Sequence, residues 1–482
     1  MRVQFKLGLA IAAAALLAAP ATAQKSADNL RISMRDALPN IDPYYNNLRT
    51  GVVMHHQGWD GLVYRNPDTF KIEPLLATEW KFPDTTTIEF TLRPGVKFHD
   101  GSPLTADDVV YTLTVAADPA SKVSTPANYN WIDKAEKTGE LSVRVKLKRP
   151  TPAALDYFAL VIPIYPKAYR EKVGPEGYAK APVGAGPYKM VKVEPGVSID
   201  FERFEDYWAG SPKKATIKKL SVRFVPDATT ELTELLAQRA DWIWNMNPDQ
   251  FDNVNKIPTL SAVRKESMRV GYLSLDAAGR TGADNPVTKL KVRQAIWYAI
   301  DRKAIADKLV TGGSRVPPAP CFPPQFGCDA EASVLYDYDP AKAKALLAEA
   351  GYPNGFDLEL TSYVLPQWGA AVQNYLQAVG IRAKLNQLQV AALIQRAKAG
   401  ELRSYLGSWG SYSINDVSAI MPNFFDGGAD DYARDPDVIK WLVEGGSSND
   451  PEVRKKAYSS AIHRITEQAL SLIHISEPTR PY

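Results

Sequence analysis

The chain has 482 residues, 45% hydrophobic and 23% charged, with a formal net charge of +3. That length supports several domain-sized units around large cores. Both signs of charge are interspersed, so composition gives no electrostatic reason to expect nucleic acid or an anionic membrane as a partner.

The N-terminus joins a short basic stretch, Arg2 to Lys6, to an apolar run from Leu7 to Ala19 and the small-residue site Ala21-Thr22-Ala23. This pattern reads as a secretory signal peptide over residues 1–23, cleaved after Ala23. About 13 apolar residues fall short of the ~20 that a spanning helix needs. No Cys stands at the cleavage point and no Arg pair precedes the run. The expected product is free in a bacterial periplasm, with no lipid anchor.

A loop rich in Pro, Asn and Tyr from Leu38 to Gly51 leads to a short helix expected within Val52–Tyr64. From Trp80 to Phe98 the chain reads as extended: Thr87, Glu89 and Thr91 alternate with Ile88, Phe90 and Leu92, as in a half-buried strand. Pro94-Gly95 makes a turn. Thr105 is a good N-cap for the next helix, with Asp107 and Asp108 in a first turn that favours negative charge. Leu141 to Leu147 alternates again. Val183-Gly184-Ala185-Gly186-Pro187-Tyr188 is a glycine-rich turn leading into strands; Pro and Tyr stand where a phosphate loop needs Lys and Ser or Thr, so nucleotide binding is not expected.

Glu231 to Ala240 reads as helical and leads into Asp241-Trp242-Ile243-Trp244-Asn245. Leu290 to Leu309 carries apolar residues at helical spacing and is predicted as one helix. Pro340–Ala350 and Ala370–Val379 are further helices, closed by Gly351 and Gly380. Strands and helices are intermixed, so the class is α/β or α+β. Cys321 and Cys328, the only cysteines, flank a Pro-Pro and Gly turn. In an oxidising compartment they predict a disulfide, stabilising by roughly 2–3 kcal/mol in the chain-entropy model.

The segment PLLATEWKFPDTTTIEFTLRPGVKFHDGSPLTADDVVYTL, Pro74 to Leu113, closely resembles the signature of the family 5 extracytoplasmic solute-binding proteins, the peptide/nickel/opine-type receptors of ABC importers. Val183–Gly210, Lys291–Gly313, Tyr338–Leu360 and Leu376–Leu385 resemble further family segments, in family order over about 300 residues. The resemblance implies a two-lobed α/β receptor that closes on its solute about a hinge. Domain I would comprise 24–61 and 185–276, domain II 62–184, and domain III 285–470. The implied partners are a small peptide or peptide-like solute and the importer's permease subunits. The implied state is a monomer without cofactor. On this reading Trp80, Phe90, Leu92 and Phe98 are core, while Arg93, His99 and Asp100 fix a turn.

Family binding residues come from loops facing the cleft. Here the matching positions are Trp244 and Asn245, with Trp409, Tyr412, Asn415 and Asp416 in the segment Gly407–Asp416. Aromatic walls with amide and hydroxyl groups suit a polar solute. Trp242 and Trp244 alternate around Ile243, and Trp244 is taken as the one at the cleft. Peptide-binding relatives commonly carry an Asp three residues after the Trp to pair with a free α-amino group. Position 412 is Tyr, so an ordinary free-amine peptide requires Asp416 instead, because a buried ammonium without a carboxylate is costly. Modified peptides, opine-like conjugates, sugars and metal chelates remain open.

Nickel as a bare ion is not expected. His55 and His56 point to different faces of a helix, and His99, His463 and His474 form no spaced cluster. A secreted hydrolase would need a nucleophile elbow or zinc motif, and neither G-x-S-x-G nor H-E-x-x-H occurs. Nothing favours a third reading, a periplasmic holdase. Residues 471–482, SLIHISEPTRPY, resemble the translation of a sequencing-adapter read-through. They are expected to be a non-native tail, with the true C-terminus missing.

Overall fold

The computed structural model describes residues 28–46, 48–244, 246–263, 265–310, 314–364, 366–410 and 414–479, with Pro248, Lys265, Glu266 and 472–479 as backbone alone. The expected leader, Asn245 and Tyr412 therefore lie outside the described residues.

The chain opens with β1 (Asn29–Met34), α1 (Arg49–Gly58) and the hairpin β2 (Val63–Arg65) and β3 (Ile72–Pro74). Then follow β4 (Ala77–Asp84), β5 (Thr87–Leu92), α2 (Ala106–Ala117), β6 (Ile132–Gly139), β7 (Ser142–Leu147) and α3 (Ala154–Leu160). Strands β4, β5, β7 and β6 make an antiparallel sheet in that order. Its packed face is the one the alternation picks out: Ile88, Phe90 and Leu92 are buried with Phe98 and Phe158, while Trp80 is half-buried at the margin. Helix α2 starts at Thr105 through a capping box, in which the Thr105 amide donates to Asp108 at 2.8 Å and its hydroxyl accepts from the Asp108 backbone.

A second, mixed sheet runs β11-β1-β10-β9-β8. It is built from β1 together with β8 (Tyr188–Glu194), β9 (Ser198–Arg203), β10 (Lys219–Phe224) and β11 (Trp242–Ile243). The glycine-rich turn before β8 sits against the end of α1: a Cβ on Gly184 would lie 2.1 Å from the Gly58 carbonyl oxygen, and one on Gly186 2.5 Å from the Gly58 carbonyl carbon. His99 ties the same turn, accepting from the Gly184 amide at 3.2 Å through Nδ1 and facing the Gly186 carbonyl at 3.0 Å through Nε2. Burial holds its ring neutral, lowering its pKa to about 4. The glycines serve backbone contact.

Strand β12 (Lys265–Leu275) carries the chain into a third sheet, ordered β14-β13-β15-β12-β16. Its other strands are β13 (Phe356–Ser362), β14 (Ile381–Gln387), β15 (Ser404–Trp409) and β16 (Ser471–Thr479). Residues from Ser471 onward, expected to be foreign, pair antiparallel with β12, from Ser471 opposite Ser274 to Thr479 opposite Lys265.

The single helix predicted over Leu290–Leu309 is corrected. It breaks into Leu290–Ala299, Arg302–Ile305 and a π turn over Ala306–Val310. Ile300 is extended (φ −108°, ψ 116°), and the Asp301 carboxylate accepts from the Ala304 amide at 2.8 Å, starting a new helix.

Apolar cores separate on either side of β12. One spans residues 34–244 and defines a first lobe; the others draw on residues from Val270 onward and define a second. Two residues break that division: Ile414 and Ala419 belong to the first lobe's cluster.

Candidate functional site

Strand direction marks the end of each sheet at which a ligand is expected. In the first lobe β1 runs parallel to β10 and β11, and in the second β13 runs parallel to β14 and β15. Ligands of open α/β sheets bind beyond the carboxyl ends of such strands. Those ends carry Trp244 just after β11 and Trp409 at the end of β15. Antiparallel pairing places Val270 of β12 opposite Trp409, so the start of β12 belongs to the same edge.

The lobes touch at more than one place. Ile414 is 0% exposed, within the cluster that also contains Trp244 and Phe158. Lys398 Nζ donates to the Ser124 carbonyl at 3.1 Å, from the second lobe to the first. Asp156 of α3 feels the negative charge of Asp416 across the junction. Burial first, and then this repulsion, raise the Asp156 pKa, while Arg65 opposes the rise. Arg65 Nη1 lies 3.5 Å from Asp156.

The predicted site residues fall into two groups. Trp244 lines the first lobe, with the Arg49 guanidinium 4.7 Å above its ring and Trp242 6.0 Å away between centroids. Trp409, half-buried, packs edge-on against Phe424 at 6.0 Å in the second lobe. Asn415 is half-buried, and its carbonyl accepts from the Phe326 amide at 3.1 Å.

Asp416 is 6% exposed and committed inside its own lobe: it accepts from Arg454 Nη2 at 2.6 Å and caps the Ser418 amide at 3.0 Å. An ammonium group reaching this carboxylate would have to displace Arg454. Asp416 thus differs from the lone amine partner that the sequence allowed.

The disulfide reading agrees with the structure, in which Cys321 and Cys328 are joined. His55 and His56 diverge as expected: His55 packs on Trp59, whereas His56 feels the charges of Lys213 and Arg65. No group of three or more His, Cys, Asp or Glu able to hold a metal occurs among the described residues. No helix among them is long and apolar enough to cross a membrane.

Residue-level reading missed Arg65, Asp156, Gln325 and Arg454. Only Arg454 carried a signal: it stands in the apolar stripe Arg454, Ala457, Tyr458, Ala461, Ile462, Ile465 of the helix Pro451–Glu467, where a charge requires a buried partner.

The family profile "Bacterial extracellular solute-binding proteins, family 5 Middle" matches residues 71–431, and the chain belongs to that family. A curated relative, "Glutathione-binding protein GsiB" of Pectobacterium atrosepticum, is 31% identical over 427 residues, covering 85% of this chain and 79% of the relative. A solved structure of an ABC transporter-associated periplasmic binding protein DppA from Helicobacter pylori, in complex with the peptide STSA, superposes with a TM-score of 0.85 at 23% identity, covering 94% of this chain and 93% of that one. The binding protein AgaA from A.tumefacien R10, in complex with agropinic acid, gives 0.82 at 27% identity, covering 94% and 92%. The fold is thus the two-lobed α/β fold of periplasmic binding proteins.

Proposed function

We propose that the chain is the periplasmic receptor of an ABC importer, capturing a peptide or peptide-like solute between its lobes and presenting the closed form to a membrane permease. The observation that carries this reading is the entry of Ile414 and Ala419 into the first lobe's core beside Trp244. A solute contacting both walls would favour that closed arrangement, as population shift requires. Family membership supports the receptor class and gives no ground for catalysis. The three-domain division, 24–61 with 185–276, 62–184 and 285–470, is part of this reading. The four-stranded sheet falls within 62–184 and the β1 sheet within 24–61 and 185–276, whereas β12 (Lys265–Leu275) pairs in the sheet of 285–470 and so moves that boundary toward the start of β12. Also part of this reading are the secretory leader, the monomeric state and the wall residues Trp244, Asn245, Trp409, Tyr412 and Asn415.

A second reading, a carboxylated opine-like conjugate, is favoured by one observation. Asp416 is paired with Arg454, so no lone carboxylate stands ready there for a free α-amine.

Native mass spectrometry on protein exported to a periplasm and purified without denaturation tests both. A ladder of masses matching short peptides supports the first, and one discrete non-peptide mass supports the second. Folded protein that carries no solute and acquires none from peptide and opine panels overturns the receptor reading.

A further inference from the structure

We infer that the Cys321–Cys328 loop is a positioning element for solute capture: it holds Ile414–Ala419 in the shape that enters the first lobe. The inference rests on the receptor reading above.

The loop meets this plug mainly through backbone. The Phe326 amide donates to the Asn415 carbonyl and the Val417 amide donates back to the Phe326 carbonyl, both at 3.1 Å, so Phe326 bridges Asp416 in parallel. Gln325, 2% exposed, joins loop and plug from within. Its Oε1 accepts from the Phe322 amide at 3.0 Å, and its Nε2 donates to the Ile414 carbonyl at 2.8 Å. Arg454 completes the bracket, lying 4.4 Å over the Phe326 ring while bonded to Asp416. Gly327 (φ +82°) lets the chain pass so close to Tyr458 that a Cβ would fall 2.4 Å from the ring.

Three successive plug residues, Ile414, Asn415 and Asp416, thus take their position from a loop with no regular secondary structure of its own. Closing that loop covalently removes conformations it would otherwise explore, so the plug is pre-organised before the lobes meet. The second lobe's largest core, over β13 and β14, includes no residue of the loop. Loosening the loop should therefore reach the interlobe contact without unfolding that core.

The test uses the full oxidised chain and two variants, the double substitution Cys321→Ser/Cys328→Ser and the single Gln325→Ala, which keeps the cross-link. Hydrogen exchange, unfolding of the unliganded protein and titration with S-methylglutathione are read on each. In both variants amide exchange over 414–419 should accelerate at least about tenfold while β13 and β14 keep their protection. Affinity should weaken roughly tenfold, within the range for a residue coupled to a site through one network. Unchanged plug exchange in Gln325→Ala overturns the inference, whatever the double variant does. So does a lower unfolding temperature with affinity and plug exchange intact, which is the mark of a purely structural disulfide. If the wild-type chain binds neither S-methylglutathione nor any member of the peptide and opine panels, the receptor reading is at fault, and the exchange arm alone judges the loop.

Discussion

The two lobes hold their irregular segments by opposite means. In the first, the turn Gly184–Gly186 is clamped against the end of α1 by close backbone approach and by the neutral ring of His99. In the second, Ile414–Ala419 is held by a disulfide-closed loop and by the buried Arg454–Asp416 pair. The first device depends on small residues and absent side chains; the second depends on bonds between segments far apart in sequence. Failure should therefore be steric in one and electrostatic in the other.

The largest effect is expected from Arg454→Leu, which leaves Asp416 buried without its cation. Removing one partner of such a pair costs about 3–5 kcal/mol. Urea unfolding should show that loss, and Arg454→Leu/Asp416→Asn should regain much of it, because no buried charge remains. A double variant no better than the single would show that packing on Phe326 and Tyr458 matters more than charge.

Next is Gly186→Ala. Its Cβ would meet backbone of α1, which cannot rotate away, so overpacking should cost about 1–3 kcal/mol in thermal unfolding. A neutral result would mean that α1 and the turn can part freely, and the steric half of the comparison would fail.

A smaller effect is expected with pH, confined to the first lobe. Burial lowers the His55 pKa to about 3, and its Nε2 faces Asn46 Nδ2 at 3.4 Å, a contact that a neutral ring can accept. The unfolded ring binds a proton below its ordinary 6.5, and the folded ring does so only near 3. Its contribution is therefore complete above 6.5 and is lost as pH falls from there toward 3. Asp42 acts oppositely between 3.8 and about 6, since burial raises its pKa and protonation relieves the cost. His55→Gln should flatten part of the acid loss measured by unfolding at successive pH values; an unchanged slope would exclude His55 as its source.

The same contrast explains what was legible in the sequence. The strand at Thr87–Leu92, the Thr105 cap and the glycine turn rest on neighbours in the chain, and each is found in place. The disulfide was readable because both cysteines flank one turn. The Asp301 break was readable in principle, since Asp accepts readily at an N-cap, but the apolar spacing on either side concealed it. Arg454 and Asp416 are 38 residues apart, and Asp156 lies in the other lobe, so no local pattern joins them. Asp416 was picked out as an acid near an aromatic loop. Its buried guanidinium partner lay beyond any reading of that loop.

The smallest expected effect bears on closure itself. Asp156 and Asp416 repel across the junction, and burial together with that repulsion raises the Asp156 pKa. The Asp416 part of the rise exists only while the lobes are together. The closed form therefore binds protons more readily than the open form, and by linkage acidification favours closure. Solute affinity should rise a few-fold, on the order of 1 kcal/mol or less, as pH is lowered through the range where Asp156 titrates. In Asp156→Asn that dependence should vanish while binding persists, which titration at two pH values would read directly. If the variant keeps the full pH dependence, the acid that senses closure lies elsewhere, and the electrostatic link between the lobes runs through the solute instead of through Asp416.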